Sequence, residues 1–151
     1  MKRKWVIVGK KNSGKTTVAD FIEGKKDKKS SSLDLYYREN TIEVPSEYLE
    51  VNYLNNIIIM ISQNHAIGTL FILSAEDDVV YPPNFGKSFT RPTATIITKI
   101  DLVNKDKLEK IYKKALEIGA NNIFLISNKT RKGLVELNNF IKDVSLSEVH
   151  Y

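Results

Sequence analysis

Gly9-Lys10-Lys11-Asn12-Ser13-Gly14-Lys15-Thr16 decides how the rest of this chain is read. Both glycines, Lys15 and Thr16 fall at the fixed places of a G-x-x-x-x-G-K-[ST] pattern. Upstream, Trp5-Val6-Ile7-Val8 is the short apolar run of a buried strand, and downstream Thr16 to Ile22 reads as the first turns of a helix. A strand that feeds a glycine loop into a helix is a phosphate-binding device. The backbone N–H groups of the loop converge on the anion, and the helix adds its unpaired N–H groups and the positive end of its dipole. In such a loop Lys15 bridges the terminal phosphates of a nucleotide and the Thr16 hydroxyl ligates Mg²⁺. Gly9, Asn12, Ser13, Gly14 and Thr17 complete the phosphate side. Lys11 either brings a second ammonium to the phosphates or lies in solvent.

A chain of 151 residues is long enough for one domain with a proper core. The absence of cysteine excludes disulfides, thiol catalysis and thiolate metal sites. His65 and His150 are the only histidines, too few for a histidine metal cluster. Met1-Lys2-Arg3-Lys4 carries the charge of a secretion signal, but the apolar run after it stops at Val8, so it is not read as one. No stretch approaches the length of a membrane span, and a soluble cytoplasmic protein is expected. The net charge of +5 favours anionic partners, nucleotides and acidic protein surfaces among them. No segment interleaves aromatic rings with clustered lysines and arginines, so neither DNA nor RNA is expected as a partner.

Gly24 is expected to cap the first helix, and the polar, lysine-rich stretch from Gly24 to Ser32 reads as a mobile surface loop. That loop is either a switch beside the nucleotide or a solvated lysine run. Residues 33–37 and 40–44 have strand character around a turn at Arg38-Glu39-Asn40, and Pro45 breaks the pattern. A helix is expected from Glu47 to about Asn64, with Leu54, Ile57, Ile58 and Ile61 inward. The β-branched run Ile57-Ile58-Ile59 keeps a strand open there. Residues 67–73 read as a buried parallel strand, followed by a proline-punctuated loop to Pro92 and a strand over 94–98. Residues 106–118 form an amphipathic helix with Leu108, Ile111, Tyr112, Ala115 and Leu116 at helical spacing. A last strand over 123–126 and a last helix over 133–144 follow, the helix with Leu134, Leu137 and Ile141 inward. Alternating strands and helices spell a single α/β P-loop domain over residues 1–144, with a mostly parallel central sheet and helices on both faces. Residues 145–151 are expected to fray as a tail. Ligands of such sheets sit at the C-terminal strand ends, where the glycine loop lies.

A phosphate loop does not choose a base. Thr98-Lys99-Ile100-Asp101, at the end of a buried strand, resembles the N/T-K-x-D motif of P-loop GTPases. In that family the aspartate accepts two hydrogen bonds from the guanine edge. Adenine would leave the carboxylate unpaired, at a cost of a few kcal/mol. The stem of Lys99 would cover the base. Ser127-Asn128-Lys129 stands where the family has S-A-K, with Ser127 and Lys129 matching and Asn128 in place of alanine.

Between these motifs the GTPases carry D-x-x-G, whose aspartate holds Mg²⁺ through water and whose glycine meets the γ-phosphate. The matching stretch here is Glu43-Val44-Pro45-Ser46. Glu43 stands for the aspartate as the metal-side carboxylate, and Ser46, with less backbone freedom, stands for the glycine. Glu47 occupies the place of the residue that orients the attacking water, as a catalytic candidate beside Lys15, or else it is simply favourable charge at a helix start. Any of Ser30, Ser31 and Ser32 is a candidate switch-loop ligand of Mg²⁺.

Val44-Pro45-Ser46-Glu47-Tyr48-Leu49-Glu50, Pro82-Pro83-Asn84-Phe85, Ile97 to Leu102 and Ala120 to Phe124 together resemble the EutP/PduV family of small Ras-like P-loop proteins. The resemblance runs from about Lys4 to Ile141 and marks a divergent member. It implies a GTPase-like fold, GTP or GDP with Mg²⁺ as cofactors, and a protein partner among the components of ethanolamine- or propanediol-utilisation microcompartments. Three functions stay open. The first is a guanine-nucleotide protein with slow or partner-dependent hydrolysis of GTP. The second is a non-hydrolysing docking module, which Glu43 and Ser46 favour. The third, an ATP-binding kinase or ATPase, is opposed by Thr98-Lys99-Ile100-Asp101 and by the isolation of Arg91 and Arg131 along the sequence.

Overall fold

The computed structural model describes residues 2–26, 34–79 and 81–149. Its strands are β1 (Lys4–Gly9), β2 (Tyr36–Tyr37), β3 (Thr41–Glu43), β4 (Ala66–Ser74), β5 (Thr93–Thr98) and β6 (Asn122–Leu125). They form one sheet in the order β2-β3-β1-β4-β5-β6, parallel throughout except where β2 runs against β3. The chain leaves β1 toward β3 on one side and returns to β4 on the other. The glycine loop sits at this reversal, where open α/β sheets bind ligands.

Successive side chains on a strand point to opposite faces, and here both faces are covered. Trp5, Ile7, Leu70, Ile72 and Ile96 pack against α1 (Lys15–Glu23) and α5 (Leu134–Val149) through Val18, Ala19, Leu134, Leu137 and Ile141. Val6, Val8, Phe71, Leu73 and Ile97 face α3 (Asn55–His65) and α4 (Lys105–Leu116) through Ile58, Ile61, Ile111 and Ala115. This two-sided burial explains why the central strands read as unbroken apolar runs. Gly24 caps α1 as expected, with its N–H donating to the Asp20 carbonyl.

Several elements differ from the sequence expectation. The helix expected over 47–64 is broken into α2 (Glu47–Glu50), a 3₁₀ turn (Asn52–Leu54) and α3. Val51 is extended, with φ −99° and ψ 110°. With its amide oriented to satisfy both groups, the buried Asn55 donates to the carbonyls of Tyr48 and Leu49 at 2.9 and 3.1 Å. These bonds satisfy carbonyls that a broken helix leaves open. Ile57-Ile58-Ile59 is helical, which closes the strand alternative. On α4 the buried line runs through Ile111, Ala115 and, beyond its end, Ile118, whereas Tyr112 and Leu116 lie on the exposed face. Helix α5 continues past Val144 to Val149, so residues 145–149 are helical where the sequence shows no pattern. Trp5 Nε1 donates to Ser145 Oγ at 3.2 Å and ties this extension to β1. Residues 27–33, which include Ser30, Ser31 and Ser32, lie outside the described residues, as does His150.

The proline-punctuated loop is anchored by aromatic packing. The rings of Tyr81, Phe85 and Phe89 lie 5.4, 5.6 and 5.2 Å from that of Phe71. The Tyr81 hydroxyl stands between two strand ends, 2.7 Å from the Ile72 carbonyl and 3.0 Å from that of Val8. Burial pushes this phenol well above its ordinary pKa. The folded chain therefore keeps the proton at pH values where the unfolded chain loses it. The resulting contribution to stability is present below about pH 10 and is lost as pH rises beyond it. Tyr81→Phe is expected to cost about 1 kcal/mol at pH 8 through the lost hydrogen bond. Urea unfolding at pH 8 and pH 11 checks this, because the deficit should shrink at the higher pH.

Candidate functional site

The loop between β1 and α1 is tightly wound. Ser13 N–H donates to the Lys10 carbonyl at 3.1 Å, and Asn12 and Gly14 take φ of +65° and +107°. A Cβ on Gly9 would stand 2.5 Å from Ser13 Oγ and 3.1 Å from the Ile72 carbonyl, so a side chain there would displace the serine hydroxyl and crowd β4. Among the described residues, no side chain caps the N-terminus of α1. Its first N–H groups are therefore available to an anion. Ser13 Oγ is buried and has no hydrogen-bond partner among the described residues.

Two contacts link this loop to the end of β3. Lys15 Nζ donates to the Val44 carbonyl at 3.0 Å, and Thr16 Oγ1 donates to Glu43 Oε1 at 3.0 Å. Glu43 is fully buried. The hydroxyl and the carboxylate expected at the metal thus meet directly. They suit a Mg²⁺ ion that draws its other ligands from phosphate and water. Among the described residues, no cluster of three or more His, Cys, Asp or Glu side chains could hold a metal without such help. Glu47 lies exposed on the first turn of α2, and Lys11 is exposed as well.

Two further contacts bind the strand end of β5 to the loop. Thr98 Oγ1 donates to the Ser13 carbonyl at 2.6 Å, and Lys99 Nζ donates to the Asn12 carbonyl at 2.6 Å. Ser127, fully buried, donates from Oγ to Asp101 Oδ1 at 2.7 Å. The same Oγ accepts from Thr130 N–H at 3.0 Å, so the hydroxyl proton is directed at the aspartate. Asp101 itself is exposed at the rim of a cavity of about 330 Å³. Gly14, Thr17, Thr98, Lys99 and Lys129 line it together with Leu102, Ile126 and Asn128. The cavity therefore joins the phosphate loop to the Thr98–Asp101 motif. A larger cavity of about 550 Å³ opens at the opposite end of β1, against Trp5, Ile22, Ile67 and Ile141, and contains no part of the glycine loop.

Sequence reasoning did not assign roles to Leu102, Ile126 or Arg38. Leu102 and Ile126 flank recognised motifs, and that adjacency is the signal that could have found them. Arg38 had no sequence signal beyond its place in a turn. Its NH2 group donates to Asp20 Oδ1 at 2.7 Å and lies 3.9 Å from Glu43 Oε2.

A family model described as "Ethanolamine utilisation - propanediol utilisation" matches residues 1–143. The chain belongs to the PduV-EutP family. No curated protein matches this PduV-EutP member. Among solved structures it resembles a probable GTP-binding protein, engB, with a TM-score of 0.68 at 15% identity, over 93% of this chain and 97% of that one. It also resembles the FeoB G-domain from Methanococcus jannaschii, with a TM-score of 0.55 at 19% identity, over 95% and 98% of the two chains. A third match is a bacterial selenocysteine-specific elongation factor, with a TM-score of 0.66 at 21% identity. It covers 97% of this chain but only 29% of the elongation factor, so this chain spans less than a third of that protein. These likenesses show a G-domain fold for the family member. No described helix is long and apolar enough to cross a membrane.

Proposed function

We propose that this PduV-EutP member binds guanine nucleotides with Mg²⁺, hydrolyses GTP slowly, and works through a protein partner in ethanolamine- or propanediol-utilisation microcompartments. The observation that carries the reading is the Ser127–Asp101 hydrogen bond at the rim of a cavity that ends on the glycine loop. It fixes an exposed carboxylate where a base would lie, able to accept from the two N–H groups of the guanine edge. Lys15 would hold the terminal phosphates, and Thr16 with Glu43 would hold Mg²⁺ directly and through water. Lys99, Thr98 and Lys129 would frame the base, and Gly9, Asn12, Ser13, Gly14 and Thr17 the phosphates. Of the structures it resembles, one is described as a probable GTP-binding protein and another as a G-domain, which supports guanine over adenine in this reading.

Hydrolysis has the weaker support. Ser46 starts α2 with φ −58° and ψ −28°, and its carbonyl accepts from the N–H groups of Leu49 and Glu50 at 3.0 Å each. A serine held in a helix start resists the rearrangement by which a glycine here would meet a γ-phosphate. That favours a second reading, a non-hydrolysing nucleotide module that docks on a microcompartment component.

Titrating the Mg²⁺-containing protein with GDP, GTP and ATP separates the possibilities. GDP and GTP are expected to bind at least about a hundredfold tighter than ATP, since adenine would leave Asp101 unpaired. Equal affinity for ATP would contradict the proposal. Single-turnover assays of the parent chain and of the Glu43→Asp, Ser46→Gly double variant then address hydrolysis. A faster rate in the double variant supports slow turnover in the parent, and no turnover in either supports the docking module.

A further inference from the structure

Arg38 lies at the turn between β2 and β3, yet its side chain is turned inward and the residue is only 9% exposed. Its backbone is held on both sides. The Arg38 N–H donates to the Thr41 carbonyl at 2.8 Å, and Lys4 Nζ donates to the Arg38 carbonyl. The guanidinium also lies over the Tyr36 ring, 5.6 Å from its centroid. From this fixed base NH2 reaches Asp20 Oδ1 on α1 at 2.7 Å and comes within 3.9 Å of Glu43 Oε2. The other carboxylate oxygen of Glu43 accepts from Thr16 Oγ1. Glu43 is therefore strung between the hydroxyl suited to Mg²⁺ and a permanent cation.

We propose that Arg38 is a positioning residue that sets the Mg²⁺ affinity of the nucleotide site. The inference rests on the guanine-nucleotide reading above. Two carboxylates, Asp20 and Glu43, face one guanidinium, which offsets part of the negative charge they bring together. Asp20 and Arg38 have side-chain exposures of 21% and 5%, and Glu43 has none, so solvent screens this balance weakly. A metal at Thr16 therefore meets a carboxylate whose charge is already partly spent. The same contact holds Glu43 in place against Thr16 when no metal helps to do so. A guanidinium suits this task because its planar fork keeps its charge and direction when buried.

Removing the cation and removing the competing acid should move metal affinity in opposite directions. The GDP-loaded chain is titrated with Mg²⁺ against a chelator, and release of a fluorescent GDP analogue is followed at each free Mg²⁺ concentration. Arg38→Gln is expected to bind Mg²⁺ about tenfold tighter than the parent, and Asp20→Asn, which removes an acid that competes with Glu43 for Arg38, about tenfold weaker. General loss of stability would instead speed GDP release in both variants at every Mg²⁺ concentration. Shifts of the same sign, or no shift in either variant, overturn the inference. If Arg38→Gln fails to fold, Asp20→Asn decides alone, and a Mg²⁺ affinity equal to the parent's overturns it. A parent chain that binds no GDP removes both this inference and the functional reading. Tight GDP binding with unaltered Mg²⁺ affinity in the variants removes only this one.

Discussion

Alanine in place of Gly133 is expected to destabilise the chain by about 3 kcal/mol or more, a fall of roughly 6–12 °C in melting temperature for a domain of this size. Gly133 precedes α5 with φ +79°, a region that L side chains rarely adopt. A Cβ there would lie 2.0 Å from the Leu125 carbonyl oxygen and 3.0 Å from its carbon. Both are backbone atoms of β6, so no rotamer change relieves the clash. Relief requires the start of α5 to move off the strand, and α5 supplies Leu134, Leu137 and Ile141 to one face of the core. The movement would also disturb the loop that holds Ser127, whose N–H donates to the Lys132 carbonyl at 3.0 Å. Asp101 would then lose its fixed orientation along with stability. Gly24 is the control, with φ +76° and no atom of the described residues within 4 Å of the place a Cβ would take. Gly24→Ala should cost only about 1 kcal/mol, the conformational part alone. Denaturant unfolding of both variants checks the difference. Equal costs would mean that Gly133 does not pack against β6 as described.

The parts of the fold that were legible in the sequence depend on short-range pattern. The apolar runs of β1, β4 and β5 and the glycine loop lie within windows of a few residues, and their order along the chain dictates a parallel sheet. The helix periodicity of Leu134, Leu137 and Ile141 was equally local, and all three are buried. The break at Val51 was not legible, because the apolar stripe runs on through it. What stabilises the break is the Asn55 amide reaching the carbonyls of Tyr48 and Leu49, a tertiary choice with no periodic signature. The end of α5 was missed for a similar reason. Serines at 145 and 147 interrupt the stripe, but Ser145 is tied to Trp5, 140 positions earlier in the chain.

The candidate site divides along the same line. Lys15, Thr16, Glu43, Thr98, Lys99, Asp101 and Ser127 were readable as motif residues, and the fold joins them through hydrogen bonds and one cavity. Arg38 and Tyr81 were not readable as parts of its support. Arg38 acts on Asp20 and Glu43 across a turn, and Tyr81 acts on Val8 and Ile72 from a proline-rich loop. Only the folded chain brings α1 to the β2–β3 turn and the proline-rich loop to the ends of β1 and β4. Glu43 changes meaning most between sequence and structure. In the sequence it is a departure from aspartate that favours the docking module, whereas in the fold its carboxylate accepts from the Thr16 hydroxyl while Arg38 stands behind it.

The central claim is that Asp101 reads the base. In guanine, a ring N–H and an exocyclic amine face that carboxylate, whereas xanthine carries a carbonyl in place of the amine. Asparagine at position 101 can donate to that carbonyl but cannot accept from both guanine donors. Affinities of the parent and of Asp101→Asn for GDP and for xanthosine diphosphate, measured by titration with Mg²⁺, test the claim most directly. The variant is expected to lose about a hundredfold in GDP affinity, through the unpaired polar groups it leaves, and to gain xanthosine diphosphate binding. Unchanged GDP affinity in the variant, with no gain for the xanthine nucleotide, would contradict it.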